Sequence, residues 1–470
     1  MTTIASPRAT APMRTADDAT RERLRALIRA IEARSPQPAP PVFAPRAGDA
    51  SEVYPHEDQR YEPRRGAPVP IESLPGASLR VTASGTCVVR EVRYSLTSPD
   101  LLAPNHVATG EAFDLSGLRR IVGAPLVRLA PDADLEDAAL EDLLFLDIET
   151  TGLGGTGAMA FLVATGRVEA GADGDAFVLR QYIAPSPPAE ASMLEALIED
   201  TGIRTGDPVL VTYNGRLFDA PILDGRATMH RQRGGFDALR HLDLLLPARV
   251  AYRGLLPSCR LVEMEHALLG MTRPPSEASG AEAPGWYFRF LRTGDARMLI
   301  PIIEHNERDV VALAALASRL TALAEGHVPA EGVHALAAGR LLAARGERAA
   351  AHVHLERAAG TLVHPERRAD ALSRLAALHK ADGRRDLAAP LWERVVASPG
   401  VPARRAYQEL TIYYERHARD LPAALEVIDR ALEYARQWAR LDRDRAGRWR
   451  ETLLQRRSRV HSRLTRSTAR

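Results

Sequence analysis

The segment Leu143-Leu-Phe-Leu-Asp-Ile-Glu149 closes an apolar run with two carboxylates. A short apolar run bounded by polar residues reads as a buried strand. Side chains at i and i+2 of a strand share a face, so Asp147 and Glu149 project together. Buried charge is costly unless it is paired or bound to a metal. Whatever packs over the end of this strand must therefore bring a cation or further metal ligands.

The surrounding residues predict the layer that does so. AFLVATGRVE and FVLRQYIA read as further strands, and ASMLEALIEDTG as an amphipathic helix stopped by Gly. PVLVTYNG reads as a strand, FDAPILDGRATMHR as the start of a helix, and RHLDLLLPAR as another strand-like run. CRLVEMEHALLG and MLIPIIEHNERDVVALAALASRLTAL read as helices. Three strands followed by alternating helices and strands predict an α/β domain over residues 140–325, with a mixed central sheet flanked by helices.

Gly152-Leu-Gly154-Gly-Thr-Gly157 matches a G-x-G-x-x-G pattern. In a dinucleotide site the first Gly ends the strand and a helix follows at once. Here AMAFLVATGRVE, a strand pattern, comes next. A turn between two antiparallel strands accounts for the glycines.

Two further segments supply acids. In Tyr213-Asn-Gly-Arg-Leu-Phe-Asp219 a strand runs into a Gly turn, and Asp219 stands where a helix begins, also a common capping position. Phe218 is expected to pack into the core and hold the acid. In His305-Asn-Glu-Arg-Asp309, His305 and Asp309 are i and i+4 on one helix face, a pairing suited to base catalysis near neutral pH. Asp243 in HLDLLL is a possible fifth acid, or a structural group at a strand end. Four converging carboxylates can hold two divalent ions about 3.5–4 Å apart, and oxygen ligands favour Mg²⁺ or Mn²⁺.

DIETTGL, NGRLFD and HNERD, in this order, resemble the three motifs of the DnaQ-like, DEDD-type 3′–5′ exonucleases of the ribonuclease H fold. LPSCRLVEMEHALLGMTR and HNERDVVAL look most like the YprB-type ribonuclease-H-like family. The resemblance covers roughly residues 140–320. It implies Asp147, Glu149, Asp219 and Asp309 as metal ligands and His305 as general base. It also implies that Thr150, Leu153 and Asn214 lie against the nucleic acid. His305 stands four residues before the last Asp, the spacing of the superfamily's Tyr-type members rather than of its His-type members. Implied with the family is metal-dependent hydrolysis of DNA or RNA from a 3′ end. The rival readings are an inactive fold that binds nucleic acid, and a scaffold with no nucleic-acid partner.

The remaining chain has other characters. Residues 1–75 are rich in Ala, Pro and Arg and are expected to be disordered, with one short helix in DATRERLRALIRAIEARS. Residues 76–135 form a small extension, with a β hairpin in 78–98 and an irregular polar connection over 100–135. From 333 to 435 helical segments recur about every 37 residues, with Gly339, Gly346, Ala351 and Ala358, then Gly383, Ala388 and Trp392, at tetratricopeptide-like spacing. An all-α repeat domain with a protein-binding surface is expected there. Residues 436–470 carry twelve arginines against three acids, with Trp438 and Trp449 among them. They read as a charged helical tail or a phosphate-binding one.

Composition excludes several classes. The formal net charge of +2 rules out a global basic field, and Lys380 is the only lysine among 62 basic residues. Cys87 and Cys259 are too few and too far apart for a disulfide framework or a zinc site, and read as buried thiols in a reduced compartment. No apolar run reaches the length of a membrane span and no signal peptide is evident, so a cytoplasmic protein is expected.

Overall fold

The computed structural model describes residues 67–96, 115–131, 133–152, 158–171, 174–273, 280–327 and 331–468. All of them belong to one compact unit, Gly66–Arg470. The helix expected in DATRERLRALIRAIEARS and Leu153 lie outside the described residues. The end of the expected disordered segment is ordered: Ile71 and Leu74 are buried, the Val69 amide donates to the Asp295 carboxylate, and the Val69 carbonyl accepts from the Ala296 amide.

Seven strands form one mixed sheet in the order β1-β2-β5-β4-β3-β6-β7. They are β1 (Ala77–Thr82), β2 (Gly85–Ser95), β3 (Leu143–Thr150), β4 (Ala160–Glu169), β5 (Ala176–Ile183), β6 (Val209–Thr212) and β7 (Arg240–Asp243). β3, β4 and β5 are antiparallel neighbours, while β6 and β7 run parallel to β3. The hairpin β1–β2 continues the same sheet: β2 pairs antiparallel with β5 from Val88↔Ile183 to Ser95↔Ala176. The element that follows the glycine-rich sequence 152–157 is strand β4, not the helix that a dinucleotide site requires.

The helices are α1 (Ala124–Leu129), α2 (Glu190–Thr201), α3 (Asp219–Met229), α4 (Leu245–Tyr252), α5 (Leu261–Met264), α6 (Ala283–Thr293) and α7 (Ile300–Ala324) in the first part. α8 (Gly332–Ala344), α9 (Arg348–Thr361), α10 (Pro365–Ala381), α11 (Arg385–Val396), α12 (Arg404–Ile412), α13 (Leu421–Trp438) and α14 (Arg443–Thr468) follow. α7 lies across β3, β4 and β5. Its apolar residues Val310, Val311, Leu313, Leu316 and Leu320 are buried, a stripe that repeats at helical spacing.

Two local expectations need correction, and one helix was not anticipated. RHLDLLLPAR is not one strand: β7 ends at Asp243, whose carboxylate accepts from the Leu245 amide, and α4 begins there. The 100–135 connection, where described, buries Leu118, Ile121, Leu126 and Leu129 through a 3-10 turn and α1. Its apolar residues are spread over elements too short to show a period. APGWYFRFLRT is helix α6, whose buried Tyr287 stacks on Phe161 at 4.3 Å between ring centroids.

Beyond α7 the described chain is all helical, and successive helices pack as neighbours from α8 to α14. Gly339 lets α8 approach α9 closely, because a Cβ there would stand 2.6 Å from the Leu355 side chain. The last helix is not a free tail. α14 buries Trp449, Leu453 and Val460 against the preceding helices, and its Arg456 and Arg463 bond Glu415 at 2.8 and 2.9 Å. Cys87 is fully buried, while Cys259 is half-buried.

Candidate active site

The site forms at the end of β3, where α3 and α7 meet the sheet. α7 brings two groups down onto the strand. Asn306 Nδ2 donates to Asp147 Oδ2 at 2.8 Å, and His305 Nε2 stands 3.6 Å from Glu149 Oε1. Both strand acids therefore face the helix that carries HNERD, as the i, i+2 spacing requires. His305 Nε2 is also 3.8 Å from Asp309 Oδ2, one turn along α7.

Asp219 reaches the same place from α3. Its carboxylate accepts from the Ile148 amide, between the two strand acids. It does not cap its helix: the N-cap is Phe218, and Asp219 is the first helical residue. The tight turn before it depends on Gly215. A Cβ there would lie 2.6 Å from Thr212 and 2.7 Å from Asp219 Oδ2. Phe218 does not hold the acid by packing in the core. It is 51% exposed, and Leu217 is 72% exposed. Gly215 and the Ile148 amide do that work instead.

Asp243 serves the turn. Its Oδ1 accepts from the amides of Asn214 at 2.7 Å and Leu245 at 3.0 Å, the structural use of a strand-end acid. Asn214 adopts a left-handed backbone, φ +70°, which Asn tolerates better than most residues. Thr150 is half-buried, and its hydroxyl donates to the Gly152 carbonyl at 2.6 Å.

The electrostatics reflect crowding of like charge. Burial, then the charges of Asp309, Asp219 and Glu149, push the Asp147 carboxyl well above its ordinary value, against the opposing Asn306 bond. Burial and the charges of Asp309 and Asp219 raise Glu149 to about 8. Asp219 rises to about 7, chiefly from burial, although amide hydrogen bonds oppose the rise. Without a cation such acids hold protons near neutrality.

Sequence reasoning missed a cation already beside them. Arg273 Nη2 bonds Asp309 Oδ1 at 2.5 Å, and its Nε bonds Glu265 Oε2 at 2.7 Å. Glu265 is fully buried on a π-helical turn, Glu265–Leu269, that extends α5. Arg273 Nη1 also approaches His305 Nδ1 at 3.3 Å. A guanidinium only donates, so Nδ1 accepts and the neutral ring carries its hydrogen on Nε2. In this arrangement His305 turns an N–H, not a lone pair, toward the acids. Nothing in MTRPP distinguishes Arg273 from any other post-helical arginine.

Also missed was the support behind the site. Asn306 Oδ1 accepts from Gln181 Nε2 at 3.1 Å, and Gln181 Oε1 accepts from Arg90 Nη1 at 2.7 Å. Arg90 also pairs with Glu307 at 2.5 Å, and Tyr94 donates to the same carboxylate. The β1–β2 hairpin thus reaches Asp147 through two buried side chains.

The donor chemistry suits hard divalent ions: all four acids offer oxygen, and burial with mutual repulsion favours a cation among them. Among the described residues, no three of these groups bring donor atoms within 4.8 Å of one another, unlike His352, Glu356 and His379 on α9 and α10. Two ions a few ångströms apart spread their ligands more widely than one, and Arg273 takes one oxygen of Asp309.

The RNase H superfamily model matches residues 144–321, which contain every acid of this site. The chain is also similar to the uncharacterized protein YprB of Bacillus subtilis (strain 168), 32% identical over 301 residues, covering 63% of this chain and 70% of that protein.

Proposed function

The chain belongs to the YprB family, with a domain of the RNase H superfamily, and from that premise we propose that it is a metal-dependent 3′–5′ exonuclease hydrolysing phosphodiester bonds in DNA or RNA. The observation that carries the reading is the meeting of Asp147, Glu149, Asp219 and Asp309 from β3, α3 and α7, with three of the acids driven to hold protons by one another and by burial.

Two divalent ions, Mg²⁺ or Mn²⁺, would neutralise these acids and supply Lewis acidity to the scissile phosphate. Asp147, Glu149, Asp219 and Asp309 would hold them. Asn306 fixes the Asp147 carboxylate, and Gly215 leaves room for Asp219. Hydrolysis adds water oxygen to phosphorus and breaks the P–O3′ bond, releasing a 5′-nucleotide and a shortened strand. The water proton passes to His305 only once Nε2 presents its lone pair, so the hydrogen bond from Arg273 must shift to let the ring act as base. Thr150, Leu153 and Asn214 are proposed to contact the terminal nucleotide. The helices after α7 are read as tetratricopeptide-like repeats that hold a protein partner.

The test is incubation of the full chain with Mn²⁺ and 5′-labelled single strands, duplexes and structured RNA. Progressive shortening from the 3′ end that Asp147→Ala abolishes is expected. Untouched substrates would favour a second reading, an inactive nucleic-acid-binding module. The Arg273–Asp309 contact is what recommends that reading, because it already neutralises one acid without metal.

A further inference from the structure

A cavity of about 720 Å³ opens beside the acidic site, at the carboxyl ends of β6 and β7. Such ends of parallel strands are where open α/β sheets bind ligands. Asn214 forms one wall and joins the cavity to the turn that positions Asp219. The opposite wall is the segment after α4, tied across by Tyr213 Oη donating to the Cys259 carbonyl at 2.6 Å.

Three arginines line this space: Arg249 on α4, and Arg253 and Arg260 on the segment after it. All three are exposed, and among the described residues no carboxylate lies within ion-pair reach of any of them. Arg249 acts electrostatically on both the Tyr213 hydroxyl and the Cys259 thiol, and Arg253 acts on the thiol as well. The acids nearest Tyr213 are engaged elsewhere: Asp243 by the Asn214 and Leu245 amides, Glu265 by Arg273. The chain carries a formal charge of only +2, so three uncompensated guanidiniums around one cavity are a local excess. Guanidiniums bind phosphate oxygens through paired N–H groups.

We infer that Arg249, Arg253 and Arg260 form a phosphate-binding cavity that grips the backbone of a single nucleic-acid strand whose 3′ end enters the acidic site. The inference rests on the nuclease reading for what happens at that end. The grip itself is independent of catalysis. A strand, rather than a lone phosphate, suits the cavity because Asn214, part of its wall, begins the turn that carries Asp219 to the acidic site. The arginines hold the chain while the acids face its terminus.

The experiment is fluorescence anisotropy of a labelled single-stranded 20-mer with the full chain, in EDTA so that no strand is consumed, across a salt series. The triple variant Arg249→Gln, Arg253→Gln, Arg260→Gln is compared with wild type. A control triple, Arg357→Gln, Arg368→Gln, Arg394→Gln, removes the same charge from exposed positions of the helical region. Three lost phosphate contacts should weaken binding about tenfold and flatten the log–log salt slope by about 2, at about 0.7 per contact for a single strand. The control should leave the slope unchanged. Equal behaviour of the two triples would overturn the inference. So would displacement of the 20-mer by millimolar inorganic phosphate at constant ionic strength, which marks a site for one phosphate. Because binding is read without metal, failure of the nuclease reading leaves this result legible.

Discussion

Asn306 Nδ2 lies 2.8 Å from Asp147 Oδ2, while Asn306 Oδ1 accepts from Gln181 on β5. The residue after the histidine in HNERD thus locks a strand acid to the middle of the sheet. Arg90 behind Gln181 also holds Glu307, so α7 is pinned by consecutive polar residues that are themselves fully satisfied. Buried polar networks that are satisfied throughout fix side-chain geometry more tightly than apolar packing alone.

Replacing Asn306 with Leu removes a donor to Asp147 and takes one of two acceptors from Gln181 Nε2, which keeps only the Ile303 carbonyl. Loss of one partner from a buried pair costs about 1–3 kcal/mol, and groups that orient a ligand typically change metal affinity about 10–100-fold. Urea unfolding should show the first effect and Mn²⁺ titration the second. Unchanged Mn²⁺ affinity would mean that Asp147 needs no orientation.

Gly215→Ala forces a methyl against Thr212 and Asp219 Oδ2. The expected cost is about 1–3 kcal/mol, with nuclease activity falling much further than stability because the displaced atom is a proposed metal ligand. Gly285→Ala on α6 is the comparison, since nothing stands within 4 Å of its Cβ position. If both substitutions behave alike in thermal unfolding and in the strand-shortening assay, the Gly215 contact is not limiting.

Arg273→Gln leaves Glu265 as a buried carboxylate without its guanidinium. Breaking one side of such a pair costs about 3–5 kcal/mol. Converting Glu265 to Gln as well should restore most of it. A double-mutant cycle by chemical denaturation measures the coupling, and additive losses would show that the pair does not carry the stability. In the double variant His305 Nδ1 also loses its donor, so the pH profile of any hydrolysis should shift.

The raised carboxyls make stability depend on pH. Glu149 at about 8 and Asp219 at about 7 bind protons more tightly in the folded chain than in the unfolded one. Stability without metal is therefore full below the unfolded carboxylate range near 4, and falls as pH rises to about 8. Divalent ions favour the charged acids and add stability by mass action. Differential scanning in EDTA should show Tm decreasing from pH 5 to 8, with Mn²⁺ raising Tm more at pH 8 than at pH 6. A Tm independent of pH in EDTA would contradict the crowded-acid description.

Much of the architecture could be read directly. The short apolar runs in AFLVATGRVE and FVLRQYIA, and the apolar stripe of α7, are local patterns that burial turns into strands and a helix. The short pieces were not legible. Leu118, Ile121 and Leu126 sit in or beside helical elements of five and six residues, too short to show a repeating pattern, and RHLDLLLPAR splits because Asp243 meets the Leu245 amide. The mistaken place for Phe218 has the same origin. An apolar side chain beside a functional acid looks like an anchor, yet only the packed structure shows that Gly215 and the Ile148 amide hold Asp219.

Sequence alone determined that LLFLDIE is a buried strand ending in two acids on one face, because a strand's side-chain period is set by its backbone. It also placed His305 and Asp309 one turn apart on a helix, for the same kind of reason. Only the tertiary structure decided what opposes those charges. Arg273, which pairs with Asp309, and the Gln181 and Arg90 side chains behind Asn306 come from segments far apart in the chain. Charge pairing depends on distance in space, which no spacing in the sequence encodes.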